Sequence, residues 1–345
     1  VLSEIVFKGR LKMFGMDELK DRIEIKGKTV ECPVKGCSVE VERQRKVFKR
    51  EERFKCLKHN IYISPSTFEY ENELDNLLWK DTNDLDLFRK IMRAKRESRI
   101  ARDNSEDAVT WNVFRFLEKN NLIEMILSPV IGNTLKSSEI MYWSYSQGEN
   151  SGWSELNKAR EEFGEEMKRG SEPDIIVKTD NALLFIEAKL TAGNETAPSD
   201  KSNPKKYETG GNKWFSTVFK SNFERVAIKE KKYELLRFWL LGTWIAKQLD
   251  LDFCLANLVL SEREKDIEEV FKKHLCENQR VKFIRITWEA IYQQILNSNI
   301  PGTDKDRMIE YFKNKTIGYD DNGRLQRAFN TAKLEAKFEK VNALF

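Results

Sequence analysis

The sequence predicts a mixed α/β fold in which a sheet is flanked by helices, with a small cysteine-bearing module and a helical connector ahead of it. Three observations predict this. From Ser105 onward, helix-like and strand-like patterns follow in the order helix, strand, hairpin, long helix, strand, helix, strand. Hydrophobic residues make up 40% of the 345, and eight Trp with 21 Phe suffice to fill a core. Three of the five Cys and one of the two His precede residue 70, apart from the large α/β pattern.

Residues 1–70 carry short strand-like runs, Thr29-Val30-Glu31 and Ile61-Tyr62-Ile63. Residues 71–104 read as a polar, increasingly basic helical connector, residues 105–330 as the large domain and residues 331–345 as a tail. Ser105 suits the N-cap of a helix through Glu118, and Glu139 to Tyr145 alternates as a strand should. Asp174 to Lys178 and Ala182 to Leu190 form two strands joined by a turn at Thr179-Asp180-Asn181. Residues 191–213, rich in Gly, Ser, Asn, Pro and Lys, are expected to be a long loop. A long helix then ends near Gln248, followed by a strand over Phe253–Leu260, a helix over Glu264–Cys276, a strand over Lys282–Thr287 and a helix through Ile291. There is no internal repeat.

Composition excludes several classes. Charged residues reach 34% but alternate with apolar clusters, which marks a folded chain. The longest mostly apolar stretch, Phe238–Ala246, falls short of the roughly 20 residues of a membrane-spanning helix. The first residues lack the basic-then-apolar pattern of a signal peptide, so the cytoplasm is the expected compartment. Five Cys in a chain this long do not make a disulfide framework. A net charge of +4 argues for no particular partner, but its distribution does. Arg43–Lys58 holds eight Lys or Arg against two Glu, and Arg89–Arg102 seven against one. Each run is either a solvated face or a nucleic-acid contact.

The chemistry lies in Glu172-Pro173-Asp174, followed after twelve intervening residues by Glu187-Ala188-Lys189. Strand periodicity puts Glu187 and Lys189 on one face and Ala188 on the other. The preceding Leu183-Leu184-Phe185-Ile186 calls for burial, so a carboxylate and an ammonium at the strand's end need a compensating metal or partner. A hairpin brings Asp174 to the same place. Two hard carboxylates hold Mg²⁺ or Mn²⁺, with the Ala188 carbonyl as a further ligand, and a neighbouring Lys stabilises the charge of a phosphoryl transition state. Glu106 shares a helical stripe with Val109, Val113 and Phe116 and is expected to face inward as an auxiliary acid, the alternative being a helix-start charge. Lys232, Tyr233 and Arg237 begin the long helix and either reach substrate phosphates or are simply solvated. His274 reads as a surface residue, and Cys254 and Cys276 as structural.

Pro173-Asp174 with Glu187-Ala188-Lys189, after Ser105-Glu106-Asp107 on a preceding helix, resembles the PD-(D/E)xK restriction-endonuclease-like nuclease superfamily over about residues 105–330. The resemblance implies a central mixed sheet flanked by helices, Asp174 and Glu187 as metal ligands, Lys189 as the catalytic Lys and Glu106 as an accessory acid. It further implies hydrolysis of DNA, in restriction or defence against mobile elements and viruses. Rival readings are a nucleic-acid-binding regulator or scaffold with a silent nuclease fold, and an RNA- or single-strand-directed nuclease. A homodimer or a protein partner is compatible with each.

In the N-terminal module, Cys32-Pro33-Val34-Lys35-Gly36-Cys37 is followed after eighteen residues by Cys56-Leu57-Lys58-His59. Two ligand pairs separated by a hairpin-length insert fit a tetrahedral structural Zn²⁺ site of zinc-ribbon type, with Gly36 in a tight turn. The basic run lies between the pairs, so a ribbon hairpin would display Arg43, Arg45, Lys49 and Arg53, interleaved with Phe48 and Phe54, to phosphates. Arg93, Arg96 and Arg99 on the connector are a second candidate grip.

Overall fold

The computed structural model describes residues 19–95, 99–132, 134–166, 170–199, 205–332 and 335. Arg96, the start of the N-terminal module, residues 200–204 of the expected loop and most of the 331–345 tail lie outside the described residues.

The N-terminal residues make two small antiparallel sheets. One joins β1 (Ile25–Lys26), β2 (Thr29–Glu31) and β3 (Glu40–Glu42); the other joins β4 (Lys55–Cys56), β5 (Ile61–Ile63) and β6 (Phe68–Tyr70). Val30, Val41, Ile61, Ile63, Phe68 and Tyr70 are buried together, with the cysteines in the same cluster.

Among its described residues the connector holds one α-helix, α1 (Thr82–Ala94), capped by the Asp81 carboxylate, which accepts from Asp84 N at 2.9 Å. Its buried face, Leu87, Phe88 and Ile91, is typical of a packed helix rather than a free linker. Phe88 meets Trp111 of α2 (Glu106–Lys119) edge-on at 5.2 Å, and buried Asp84 takes Arg115 and Lys119 at 2.6 Å each. Asp81 and Asp84 of the connector therefore serve the packing of α1 on α2.

After α3 (Ile123–Ile131) come β7 (Glu139–Tyr142), β8 (Tyr145–Ser146), β9 (Ser151–Gly152), α4 (Ser154–Glu162), β10 (Ile175–Lys178) and β11 (Ala182–Ala188). The loop expected over 191–213 is interrupted by α5 (Lys205–Lys213), whose Gly210, Gly211 and Asn212 leave helical geometry. One aromatic in that polar run explains it: Tyr207 is buried, stacks on Phe223 at 5.7 Å and donates to Glu165 Oε1 at 3.1 Å. Then follow α6 (Phe215–Val218), a π-helical turn over Glu224–Lys229, α7 (Tyr233–Leu249), β12 (Asp252–Val259), α8 (Ile267–Lys272), β13 (Val281–Thr287) and α9 (Trp288–Asn297).

Seven strands form one mixed sheet in the order β13-β12-β11-β10-β7-β8-β9, parallel across β11-β12-β13 and antiparallel elsewhere. All seven residues of β11 are buried, as a central strand covered on both faces requires. Helix α7 packs closely on β11 and its neighbouring parallel strand because Gly242 has no side chain: a Cβ there would stand 3.2 Å from the Phe185 ring and 2.2 Å from the Phe253 ring. Leu235, Leu236, Phe238, Trp239, Leu240 and Leu241 of α7 are buried in that core, each burial worth about 1.5–3 kcal/mol for a large apolar side chain.

His274, expected on the surface of a helix over 264–276, is instead buried. The helix α8 stops at Lys272, and the following residues turn in to pair Phe219 with Leu275, placing His274 Nδ1 2.8 Å from Ser221 Oγ. Cys254 is buried within β12, and burial pushes its thiol up to about 12.

The chain ends its described path in α10 (Thr303–Asn314), β14 (Thr316–Tyr319) and β15 (Leu325–Arg327). These belong with the N-terminal sheets rather than with the large sheet: among the described residues, one compact unit comprises those up to Leu78, Ile100–Ser105 and those from Gly302 on, the other those of Trp79–Arg99 and Glu106–Pro301. The large unit thus stops short of the 105–330 range read from the sequence. The returning segment is fixed by Ile23 N donating to Gly323 O and Leu325 N to Asp21 O, at 2.8 and 2.9 Å, and by Tyr319 OH donating to Ser64 O at 2.6 Å.

Candidate active site and metal centre

Strand register builds the site. Ile175 of β10 faces Tyr142 on one side and Ile186 on the other. One step further along, Asp174 stands between Trp143 and Glu187, and Trp143 N donates to Asp174 O at 2.9 Å. The register continues Glu187 to Asn257 to Arg285. A polar row therefore crosses the sheet: Glu187, Asn257 and Arg285 are cross-strand neighbours on one face of β11, β12 and β13, and Asp174 and Trp143 extend it just outside β10 and β7. The adjacent row, Tyr142-Ile175-Ile186-Ala256-Ile284, is almost wholly apolar.

Asp174 accepts two hydrogen bonds, from Trp143 Nε1 at 2.9 Å and from Ala188 N at 2.8 Å, so strand and indole fix its carboxylate. Lys189 Nζ contacts Glu187 Oε1 and lies 3.0 Å from Glu234 Oε2 on α7. Its backbone is held at both ends: Lys189 N donates to Leu258 O at 2.8 Å, and Trp288 Nε1 donates to Lys189 O at 3.1 Å.

Burial raises the Asp174 carboxyl to about 6, against the pull of Lys189 and Lys95, and Asp107 adds to the rise. Glu187 is held well above the carboxylate range by burial first, then by Asp174 and Glu234. Burial disfavours the Lys189 ammonium, but Glu187, Glu234 and Asp174 outweigh it and keep the group protonated. Half-buried Asp174 and buried Glu187 both resist ionisation, and their hard oxygen donors fit a divalent cation, which would relieve their repulsion.

Glu106 is half-buried and accepts from Thr191 N at 3.2 Å and Ala192 N at 3.0 Å. It thereby holds the backbone just beyond Lys189. The next residue, Asp107, is the one whose charge acts on Asp174; it pairs with Lys95 Nζ at 3.1 Å, and that ammonium sits 4.5 Å from the Trp143 ring centre. Behind Glu187, buried Asn257 and Asn194 share Glu264, with Asn194 Nδ2 donating to Asn257 Oδ1 at 2.8 Å and Asn194 N to Glu264 Oε1 at 2.8 Å.

Sequence reasoning missed Trp143, Glu234, Asn257, Asp107 and Lys95. Asn257 had a signal, as a single polar residue inside the apolar run Phe253–Leu260. The others lie on separate elements and come together only through the sheet. Of the three residues singled out at the start of α7, Arg237 forms an ion pair with buried Glu165 at 2.9 Å and Tyr233 OH meets Tyr207 OH at 3.0 Å, so both are engaged within the fold. Lys232 is buried.

In the N-terminal unit, Cys32, Cys37, Cys56 and His59 place their ligand atoms within 4.8 Å of one another. Cys32 Sγ and Cys56 Sγ are 3.4 and 3.5 Å from His59 Nδ1, and Cys37 Sγ is 4.0 Å from Cys56 Sγ. Gly36 turns the first pair with φ +76°, and Lys20 Nζ donates to the carbonyls of Cys32 and Cys37 at 3.0 and 2.6 Å. The Cys32 thiol beside it, assisted by His59, draws the Cys56 thiol below its usual range. Three soft sulfurs and one imidazole, mostly buried, form a donor set that could hold a tetrahedral metal ion.

The basic run between these ligands is more compensated than its composition suggests. Arg53 lies 2.7 Å from Glu51 and 3.3 Å from Glu42, Lys49 is 3.5 Å from Glu51, and Arg45 donates to Gly27 O at 2.9 Å. Arg43 is 3.9 Å from Asp321. Phe54, expected on the display face, is buried beneath the Arg53 guanidinium, because the apolar ring is needed in a small core. Arg93 and Arg99 are exposed.

A mixed sheet carrying this polar row between flanking helices defines the restriction-endonuclease-like class. Sequence comparison agrees and narrows it: the chain belongs to the family described as restriction endonuclease associating with ARP, which it matches over residues 40–316. No curated protein and no solved structure matches it. Among the described residues, no helix is long and apolar enough to cross a membrane.

Proposed function

We propose that the chain is a Mg²⁺- or Mn²⁺-dependent PD-(D/E)xK nuclease that hydrolyses DNA phosphodiester bonds, with Asp174, Glu187 and the Ala188 carbonyl as the metal-holding groups. The observation that carries this reading is the meeting of Asp174, Glu187 and Lys189 where β10 begins and β11 ends: Asp174 accepts from Ala188 N at 2.8 Å, and Lys189 Nζ contacts Glu187 Oε1. A divalent ion held there would polarise the phosphoryl oxygen and lower the pKa of a bound water. Trp143 and the Ala188 amide hold Asp174 in one orientation, so the ligand is preorganised. Lys189 stays protonated, so it acts on the phosphate as a fixed positive charge and hydrogen-bond donor rather than as a base. Glu106 contributes by holding the segment after Lys189.

The N-terminal cluster is a structural Zn²⁺ site on this reading, since four protein ligands leave no open position for substrate. The family's description names an association with ARP, and a protein partner for this chain follows as part of the proposal. The test is cleavage of supercoiled, linear and single-stranded DNA and of RNA with Mg²⁺ or Mn²⁺, alone and against Asp174→Ala, Glu187→Ala and Lys189→Ala. The proposal expects metal-dependent DNA cleavage that each substitution abolishes. Cleavage that survives Asp174→Ala at the parent rate refutes the assignment.

A further inference from the structure

Lys95 follows α1 directly and is the second ammonium of the centre. Only 11% of its side chain is exposed; it pairs with Asp107 at 3.1 Å and lies 4.5 Å from the ring centre of Trp143. The same indole donates to Asp174. An ammonium drawn out of water onto an aromatic face beside a carboxylate is held firmly, because moving it would break an ion pair and a cation–π contact together.

Charge arithmetic gives this residue its meaning. The strongest charges acting on Asp174 and Glu187, apart from their own, are those of Lys189, Lys95, Asp107 and Glu234. With all four carboxylates ionised, as a bound divalent ion would hold them, they face two ammonium groups, and the balance of two negative charges is what one such ion cancels. Glu106, the other acid of this helix start, directs its carboxylate at the Thr191 and Ala192 amides. Arg285, at the far end of the row, gives its guanidinium to backbone carbonyls of residues 260, 261 and 263.

We propose that Lys95 is a built-in second cation, a positioning residue that takes the electrostatic place of a second divalent ion and limits the centre to one. It does so by engaging Asp107, the carboxylate that would otherwise complete a second coordination shell beside Asp174. This rests on Asp174 and Glu187 being metal ligands. A merely structural Lys95 predicts the opposite sign: losing it would disorder Trp143 and Asp174 and weaken metal binding.

The experiment is calorimetric titration of the full, zinc-loaded chain with Mn²⁺, without nucleic acid. The parent should bind one Mn²⁺ at this centre, and Asp174→Asn should remove it. Lys95→Met keeps the stem over Trp143 without the charge and should bind Mn²⁺ about tenfold more tightly or take up a second ion. Lys95→Arg should match the parent, and Asp107→Asn, which leaves Lys95 uncompensated, should bind more weakly. The double variant Lys95→Met with Asp107→Asn should return to one ion near the parent affinity. Unchanged or weaker binding in folded Lys95→Met, or two ions in the parent, overturns the proposal. If Lys95→Met does not fold, Asp107→Asn decides, and unchanged or tighter binding there overturns it. Mn²⁺ binding that persists in Asp174→Asn overturns the ligand reading, and with it this one.

Discussion

Replacing Asp174 by Asn should make the metal-free protein gain on the parent in stability as pH rises. In the folded chain the Asp174 carboxyl is raised from 3.8 to about 6, chiefly by burial. A raised acid pKa means that the folded state holds the proton longer than the unfolded state. Parent stability therefore falls as pH rises from about 4 through about 6. Two pK units correspond to about 3 kcal/mol, an upper bound because Asp174 is only half-buried by surface area. Asn carries no charge to desolvate and escapes that loss. It also offers one acceptor where Asp174 offers two, so either Trp143 Nε1 or Ala188 N loses its partner, at about 1–3 kcal/mol independent of pH. The absolute difference at one pH mixes the two effects, while its change with pH isolates the first. Urea unfolding without added divalent ions should show the variant gaining about 2–3 kcal/mol on the parent between about pH 4 and pH 8. Added Mn²⁺ near pH 8 should stabilise the parent alone. Parallel pH profiles for the two proteins would refute the claim that burial destabilises the Asp174 carboxylate.

Three further outcomes are expected. Glu106→Gln should slow cleavage by no more than about tenfold, because a Gln carbonyl still accepts from Thr191 and Ala192 N–H, whereas Glu106→Ala should cost more; equal losses would assign Glu106 a direct role at the metal. Elemental analysis of protein purified without chelators should find about one Zn²⁺ per chain, lost in Cys56→Ser together with the cooperative unfolding of the N-terminal unit. Reversing Arg43, Arg45, Lys49 and Arg53 to Glu should weaken DNA binding and flatten its salt dependence by less than four full phosphate contacts, since Arg53 and Lys49 already face Glu51. An unaltered salt slope would leave the exposed Arg93 and Arg99 as the better candidates for gripping DNA.

Much of this was legible in the residues because it rests on local periodicity. The strands over 175–178 and 182–188 and the helix α7 follow from alternation and apolar stripes, and the four-ligand cluster from spacing and scarce His. What was hidden depends on register between distant segments. Trp143 reaches Asp174 only because β7 and β10 pair with Tyr142 opposite Ile175, and Lys95 reaches Asp107 only through the packing of α1 on α2. The same limit explains Glu106 and Asp107: helical periodicity indicates that a residue turns inward, but not whether it meets a metal, an ammonium or a backbone amide. Nor can composition show that a basic run is laced with its own acids, as Arg53 is with Glu42 and Glu51.

The partnership of residues 302–329 with the N-terminal sheets has a consequence for synthesis. A nascent chain that has reached residue 301 has every strand of the seven-stranded sheet, but the unit holding the cysteines still lacks Tyr319 and Leu325 from its apolar cluster. The edge groups at Asp21 and Ile23 await partners some three hundred positions downstream. The N-terminal unit is thus begun before the large sheet and completed after it, and a premature stop in this late stretch should damage the cysteine–histidine module while sparing the sheet that carries Asp174 and Glu187. Chaperone dependence and proteolytic sensitivity should accordingly concentrate in residues 19–78 of incomplete chains.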